Sequence, residues 1–301
     1  MAANQTRNIF FDRVSNLMAK NKDIVIVSVD LAGPPFDRIR KEYPDRYIGV
    51  GIAEQNSVAL ACGLASTGKK VIVYAANPFP FLRSYDQIRN CACTMNLPIT
   101  IVGLGTGFSV AECGTTHLTI EDIGLSSLCA GLDIYSVSDN DMASYLANHF
   151  TSFAKPTYIR FGKWAGDSLG EFTDSTFNIG YRIIKEGNRA AIISTGCTVS
   201  LLKQMALPED VALIDWIKLS NTDYISEYLQ NYKVVLTVEE HLKRGGIGSL
   251  LLDAFNTRDI DTKVKRIGID LSNGYPQQYG DRTYWLQYFG ITEKNINNLL
   301  E

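Results

Sequence analysis

The stretch Gly49-Val50-Gly51-Ile52-Ala53-Glu54-Gln55-Asn56 decides the interpretation of this chain. It places an acid just before an apolar, Ala/Gly-rich segment, Ser57–Ser66, whose composition predicts a buried helix. A carboxyl buried at such a place costs free energy unless it is paired or keeps its proton. Two interpretations follow: a functional buried acid, or an ordinary helix N-terminus in which an acid interacts favourably with the helix dipole.

The bulk composition is that of a globular chain. The 301 residues are 46% hydrophobic and 20% charged, which is enough for two ordinary domains with sizeable cores. The net charge of −3, with no Lys/Arg block, argues against nucleic acid and anionic membranes as partners. No apolar run approaches the roughly 20 residues of a membrane span, and the polar N-terminus lacks a signal-peptide core.

The cysteines and histidines give no metal or disulfide pattern. The six cysteines are scattered, mostly in apolar segments, which favours reduced thiols and a cytoplasmic location. None of the three histidines belongs to a ligand pair, so the sequence predicts no metal site of its own.

Short apolar runs alternate with helical patterns along the whole chain, which predicts an α/β fold of mostly parallel sheets flanked by helices. Strands are expected near Ile24–Val29, Val71–Ala75, Ile99–Gly103, Ile134–Val137 and Thr157–Phe161, and again near Ala190–Ser194, Val211–Asp215, Val234–Val238 and Val264–Ile267. A break without a clear period, rich in Gly and Asp, separates the two groups. We therefore predict a first domain at residues 1–165, a linker at 166–180 and a second domain at 181–301.

Three loops after first-domain strands carry residues suited to a site, because parallel sheets place sites at the carboxyl ends of their strands. Asn77–Gln87 holds two prolines that stiffen it and present the rings of Phe79 and Phe81, which suit stacking on a flat heterocycle or, alternatively, plug the core. His117 leaves a Gly/Thr loop, and Arg160 stands at the end of a strand. Arginine geometry suits phosphate, although a salt bridge is an equal alternative.

The Gly-Ile-Ala-Glu-Gln string resembles the signature of the pyrimidine-binding domain of transketolase-type thiamine diphosphate enzymes. The resemblance implies that Glu54 drives activation of the cofactor and that Ile52 also contacts it. It further implies that one phenylalanine of the following loop stacks on the aminopyrimidine, with Phe79 favoured over Phe81. Arg83 matches an arginine found in several members of the family.

The loop around His117 resembles the Gly-Glu-Asp-Gly-x-x-His-Gln motif of transketolases. Glu112, Gly114 and His117 are kept, and the resemblance implies that His117 binds substrate oxygens and assists their proton transfers. Cys113 replaces the family's Asp, which contacts a substrate hydroxyl, so recognition of that hydroxyl is expected to differ because a thiol is a weak hydrogen-bond partner.

Compared with transketolases, this chain has fewer of the basic residues that the resemblance assigns to binding the substrate phosphate. Transketolases place an arginine at the position of Arg160 to bind the substrate phosphate. Their phosphate-binding histidine falls near Gly105 here, where no basic residue stands. We therefore expect a specialised sugar substrate, with phosphate binding left to Arg160 and to a partner.

The second half resembles the transketolase C-terminal domain, including a Glu-Glu and Gly-Gly-x-Gly turn over Val238–Gly248 that contains His241. No Gly-Asp-Gly motif for diphosphate and metal is found in a suitable context. The resemblance therefore implies the C-terminal subunit of a split transketolase, with thiamine diphosphate as cofactor and Mg²⁺ or Ca²⁺ bound mainly by a separate N-terminal subunit. Two copies of each chain are expected.

Three alternatives stay open at this point. The chain resembles, less closely, deoxyxylulose-phosphate synthase and the beta subunit of 2-oxoacid dehydrogenases. It could also be a non-catalytic scaffold or regulatory partner. The preferred function is transfer of a two-carbon ketol unit from a ketose to an aldehyde.

Overall fold

The structure, a computed structural model, describes residues 6–30, 33–163 and 168–300. The strands are β1 (Ile24–Ser28), β2 (Tyr47–Gly49), β3 (Lys70–Ala76), β4 (Thr100–Leu104), β5 (Asp133–Val137), β6 (Thr157–Phe161), β7 (Tyr181–Lys185), β8 (Ala190–Ser194), β9 (Val211–Trp216), β10 (Val234–Leu242) and β11 (Lys263–Ile269). The α-helices are α1 (Thr6–Lys20), α2 (Pro34–Glu42), α3 (Glu54–Ser66), α4 (Phe79–Leu82), α5 (Tyr85–Gln87), α6 (Asp122–Ser127), α7 (Asn140–His149), α8 (Asp174–Ile179), α9 (Cys197–Lys203), α10 (Asp223–Leu229), α11 (Ile247–Thr257), α12 (Arg282–Tyr288) and α13 (Glu293–Leu300).

The first six strands form one fully parallel sheet in the order β2-β1-β3-β4-β6-β5. Every residue of β1 and β6 is buried, as expected when helices cover both faces of a parallel sheet. Helices α1 and α7 pack together on one face, and their apolar side chains form a core with Phe36, Tyr74 and Phe161. Helix α3 packs on β3 over the other face.

The second sheet has the order β11-β10-β8-β9-β7 and is parallel except for its last strand. Strand β7 runs antiparallel to β9 at the edge. The prediction of two mostly parallel α/β units is confirmed. Sequence alternation missed β7, whose residues are mostly part-exposed, and the three-residue β2.

The segment predicted as a linker contains a short helix. Thr173 caps α8 by accepting the Thr176 N–H at 3.3 Å, and Gly180 ends it in the left-handed conformation with φ of +81°. Its six residues are too few for a hydrophobic period to be recognised, although the Thr cap and the Gly stop were both present in the sequence.

A buried arginine ties the two domains together next to this helix. Arg182 of β7 binds Asp139, which precedes α7, at 2.9 Å, and Asp215 of β9 at 3.0 Å. Ser138 donates to Asp215 at 2.6 Å. Burial raises the pKa of Asp215 to about 6, although Arg182 and Ser138 oppose the shift.

One loop of the first domain has its apolar side chains in the second domain's core. We call residues 105–121 the His117 loop. Its side chains Phe108, Ala111, Leu118 and Ile120 are at most 4% exposed and pack with residues of β8, β9, β10 and α12. This loop therefore belongs to the first domain by sequence and to the second domain by packing. None of the described helices is long and apolar enough to cross a membrane.

Candidate active site

The candidate site lies at the carboxyl edge of the first sheet. The neighbouring strands β3, β4 and β6 end at residues 76, 104 and 161, and the loops that follow them meet at that edge. The loop after β2 leads into Glu54. The first-domain segments that the sequence singled out therefore reach the same side of that domain.

Glu54 is the first residue of α3 and is 6% exposed. The helix begins three residues earlier than predicted, so the acid stands in its first turn, where the helix dipole favours a negative charge. Its Oε1 accepts a hydrogen bond from Nη1 of Arg83 at 2.9 Å. Within the described ranges, no hydrogen-bond partner is found for Oε2. The carboxyl group is thus largely buried, and one of its two oxygens has no partner among the described residues.

Three further side chains form a row that starts at Glu54. The guanidinium of Arg83, itself half exposed, lies 4.0 Å from the ring centroid of Phe79. The rings of Phe79 and His117 meet edge to face, with centroids 5.1 Å apart. The structure therefore brings together Glu54, Arg83, Phe79 and His117, which come from three separate segments.

Phe81 does not belong to this row, and its assignment as a cofactor contact needs correction. The side chain is 0% exposed and its ring centroid lies 4.7 Å from that of Tyr158 in the core. The reason is that residues 79–82 form a helical turn, α4, which directs the two phenylalanines to different sides. Phe79 is the part-exposed ring of the pair.

Arg160 was expected to bind a substrate phosphate, and its geometry contradicts that role. Its side chain is 4% exposed and binds the fully buried Asp122 through two hydrogen bonds, of 2.6 and 3.0 Å. Nη1 donates to Ser136 at 2.9 Å. The cavity beside it measures about 20 Å³, which is room for one water molecule and far too little for a sugar phosphate.

Asp122 keeps its charge because of this pairing. Burial by itself raises the pKa of Asp122, but the charge and hydrogen bonds of Arg160 hold that pKa below its usual value. Tyr158 also donates to Asp122, at 2.8 Å. Arg160 therefore serves as the counter-ion of a buried acid at the domain boundary.

His241 completes the same boundary from the second domain. Its Nε2 accepts the Ile123 N–H at 3.2 Å, so the ring proton is on Nδ1, which donates to the Leu242 carbonyl at 2.9 Å. Burial lowers the pKa of His241 to about 4. This histidine is a neutral structural residue.

A carboxyl group of the protein itself already occupies the Gly-rich turn of the second domain. Glu239, 1% exposed, accepts the backbone N–H groups of Ile247 and Gly248 at 2.7 and 3.2 Å, at the N-terminus of α11. The weak phosphate-binding signal of this turn therefore has a structural explanation. In the described ranges, no group of three His, Cys, Asp or Glu side chains could hold a metal ion.

Two family models match the chain. The model described as "Transketolase, pyrimidine binding domain" matches residues 2–166, and "Transketolase, C-terminal domain" matches residues 180–296. The chain belongs to the transketolase family. The resemblance predicted from the Gly-Ile-Ala-Glu-Gln string is thereby confirmed.

Curated relatives of this transketolase-family chain include proteins of similar length. It is 28% identical to the B subunit of the apulose-4-phosphate transketolase of Actinobacillus succinogenes, over 99% of this chain and 97% of that protein. It is 27% identical to "Putative transketolase C-terminal section" of Methanocaldococcus jannaschii, over 96% and 93%. It is also 32% identical to 1-deoxy-D-xylulose-5-phosphate synthase of Halothermothrix orenii, over 83% of this chain but only 41% of that enzyme.

Solved structures share the fold. "Split gene transketolase, inactive beta4 tetramer" matches with a TM-score of 0.80 at 21% identity and covers 98% of this chain and 96% of its own. The transketolase of Leishmania mexicana matches with a TM-score of 0.73 at 17% identity, but only 44% of that chain is covered. The two-domain arrangement of this transketolase-family chain is therefore a known one.

The surface of the His117 loop carries the remaining predicted residues. His117 is part-exposed and its Nδ1 lies 2.9 Å from Oγ1 of Thr116. Cys113, earlier in the same loop, is exposed. Ile52 is 74% exposed, so it offers an apolar surface beside Glu54 and not a core contact.

Sequence reasoning missed a cation at this loop. Lys163 follows β6 by two residues, and its Nζ binds Oε1 of Glu112 at 2.7 Å. Its backbone N–H donates to Ser109 Oγ at 3.1 Å. The sequence offered a signal for this cation, because Lys163 is the first basic residue after the strand that carries Arg160. In this transketolase-family chain the part-exposed lysine is reachable from solvent, whereas the arginine is not.

Proposed function

We propose that this chain is the C-terminal subunit of a split transketolase that depends on thiamine diphosphate. Together with an N-terminal subunit, it transfers a two-carbon ketol unit from a ketose to an aldehyde. The observation that carries the proposal is the row of Glu54, Arg83, Phe79 and His117, which begins at a buried carboxylate with an unused oxygen. The match of both transketolase domain models supports it.

The donor set of the row fits the pyrimidine half of thiamine diphosphate. When bound, the cofactor supplies the nucleophilic carbon and the electron sink that cleavage of a carbon–carbon bond beside a ketone requires. Glu54 would hold a proton at N1′ of the pyrimidine ring through its unused oxygen. Phe79 would contact the ring by stacking, since it is the part-exposed phenylalanine of its loop.

His117 and its loop would bind the sugar. An imidazole that is part-exposed beside Phe79 can donate to or accept from substrate hydroxyls and carry their protons. Cys113 would face a hydroxyl with only a weak hydrogen-bonding group. Lys163, in place of Arg160, would provide this chain's positive charge for a phosphate, by exchanging its contact with Glu112 for one with the substrate.

The partner subunit would supply the diphosphate and metal site. Relatives of similar length are named as the B subunit of a transketolase or as a C-terminal section. The exposed Ile52 next to Glu54 gives an apolar contact suited to a second chain. We propose two copies of each chain, with Mg²⁺ or Ca²⁺ bound mainly by the partner. A cytoplasmic location stays a prediction; all six cysteines are free thiols.

Substrate screening should start from the names of the relatives. Two of them, from Actinobacillus succinogenes and Phocaeicola vulgatus, are named for apulose-4-phosphate, so specialised sugar phosphates come first. A second candidate reaction is that of deoxyxylulose-phosphate synthase, because this chain is 32% identical to one such enzyme over 262 residues. Pyruvate therefore belongs in the same donor panel.

The test is reconstitution with the partner. The chain is purified from its native source with whatever chain accompanies it, and the complex is assayed for ketol transfer with added thiamine diphosphate and Mg²⁺. Glu54→Gln should fold normally and abolish turnover, while Glu42→Gln, at an exposed pair with Arg38, should change nothing. A fully active Glu54→Gln complex would contradict the proposal. An inactive wild-type complex would favour the scaffold alternative.

A further inference from the structure

The second domain anchors the His117 loop through Phe108, near the start of the loop. Phe108 stacks on Trp285 and Phe289, with ring centroids 6.3 and 5.8 Å apart. Its backbone N–H donates to Oε2 of Glu240 at 3.3 Å, and Glu240 is the partner of Arg282 at the start of α12. The base of the loop is therefore fixed to α12 by both packing and hydrogen bonds.

A second segment of the second domain contacts the later part of the same loop, at Thr115 and Glu121. Residues 272–281, which precede α12, we call the covering segment. Oγ1 of Thr115 donates to the Pro276 carbonyl at 2.9 Å, and the hydroxyl of Tyr275 donates to Oε1 of Glu121 at 2.8 Å. These contacts place the covering segment alongside the loop, from Thr115 to Glu121.

Tyr279 of the covering segment packs on the His117 loop at Gly114, three residues before His117. A Cβ atom added to Gly114 would lie 2.7 Å from Cε1 of Tyr279, so the ring rests directly on the glycine. The Gly114 carbonyl accepts the His117 N–H at 3.0 Å, which places the ring one turn from the histidine. Tyr279 is nevertheless 74% exposed, so most of the residue remains available to a ligand.

We propose that Tyr279 forms the outer wall of the sugar-binding entrance and selects the acceptor aldehyde by its length. This inference rests on the proposed function. A tyrosine ring offers a flat apolar surface for the C–H face of a sugar, together with one hydroxyl for hydrogen bonding. A long acceptor held at His117 extends to this wall, whereas a two-carbon aldehyde does not reach it.

The position of Gly114 supports a built contact. The glycine has a φ of +79°, a conformation that suits glycine, and its missing side chain leaves the space that the Tyr279 ring occupies. Together with the Thr115 and Tyr275 hydrogen bonds, this keeps an otherwise exposed aromatic side chain in one place. An exposed ring that packs against the loop of a candidate catalytic residue is suited to recognition.

The experiment compares two acceptors in the reconstituted complex. For Tyr279→Ala, we expect kcat/KM for a five-carbon aldose phosphate to fall roughly tenfold, mainly through KM, because one substrate contact is lost. The value for glycolaldehyde should stay within about twofold of wild type. Tyr279→Phe should retain most of the selectivity, because the ring is kept. Tyr224→Ala, at an exposed tyrosine of α10, is the matched control.

The outcomes separate this inference from the proposed function. A wild-type complex without ketol transfer would overturn the proposed function and the inference with it. An active wild type with an unchanged ratio of the two kcat/KM values in Tyr279→Ala would overturn the inference alone. An equal loss for both acceptors would also overturn it, because it would assign Tyr279 to general support of the loop.

Discussion

Replacing Arg160 by alanine should destabilise the fold and leave substrate affinity nearly unchanged in the molecules that remain folded. The side chain is 4% exposed and its partner Asp122 is 0% exposed. Removing the arginine leaves a carboxylate buried beside Tyr158 and His241 without its counter-ion. The variant therefore tests directly whether this arginine is a structural or a substrate-binding residue.

The expected magnitude follows from the burial of both partners. Removing one member of a buried ion pair costs about 3–5 kcal/mol of the free energy of unfolding. For a chain of 301 residues, that corresponds to a fall in Tm of about 5–8 °C. The exposed pair of Arg38 and Glu42, 44% and 41% exposed, gives a control, since Arg38→Ala should cost about 0.5 kcal/mol or less.

The assay is urea unfolding followed by circular dichroism, with KM measured on the folded complex. Because the folded pKa of Asp122 lies below its unfolded value, this acid stabilises the wild type above that unfolded value, and the contribution is lost as pH falls through the folded pKa. Arg160→Ala should lose that contribution. The double variant Asp122→Leu with Arg160→Met should recover part of the stability.

A different result would refute this account of Arg160. If Arg160→Ala unfolds within about 0.5 kcal/mol of wild type, a difference of the size expected for an exposed pair, and KM for phosphorylated sugars rises about tenfold, then the arginine binds phosphate in the working complex. The domain boundary would then have to open when substrate binds.

Three further predictions concern the same site and boundary. Phe79→Ala should lower kcat/KM roughly tenfold with little effect on unfolding, while Phe81→Ala should cost about 3–5 kcal/mol of stability; steady-state kinetics and urea unfolding distinguish the two. Lys163→Ala should raise KM for phosphorylated substrates about tenfold and leave KM for glycolaldehyde unchanged, and equal effects on both would exclude phosphate binding there. The folded His241 ring resists protonation because it is buried and its Nε2 accepts the Ile123 N–H, whereas the unfolded ring gains a proton near the ordinary histidine pKa of 6.5. Stability should therefore fall by about 3 kcal/mol between pH 6.5 and 4, and His241→Asn should remove that part of the pH dependence.

The sequence predicted the parallel sheets well because buried strands and helical periods are local signals. The burial of Glu54 could be predicted for the same reason, since it lies in a short, apolar, glycine-flanked stretch. Sequence alone does not separate Phe79 from Phe81, because their directions are set by a single helical turn. Stiffness of a proline-rich loop is visible in sequence, but the side from which the core approaches it is not.

Arg160 shows where local reasoning fails. It lies inside β6 and not beyond its end, and both faces of that strand are buried, so an internal counter-ion could have been anticipated. The identity of the counter-ion could not, because Asp122 is 38 residues away in sequence. The contact between the covering segment and the His117 loop could not be predicted for the same reason, because Tyr279 meets Gly114 only after the two domains have packed.

The burial of Phe108, Ala111, Leu118 and Ile120 in the second domain's core sets an order of assembly for this protein. During synthesis from the N-terminus, the first sheet can close when β6 emerges, but the His117 loop has no core to enter until β8, β9, β10 and α12 exist. Until then, four apolar side chains and the candidate catalytic histidine stay in water. The His117 loop is therefore the last part of the first domain to become ordered.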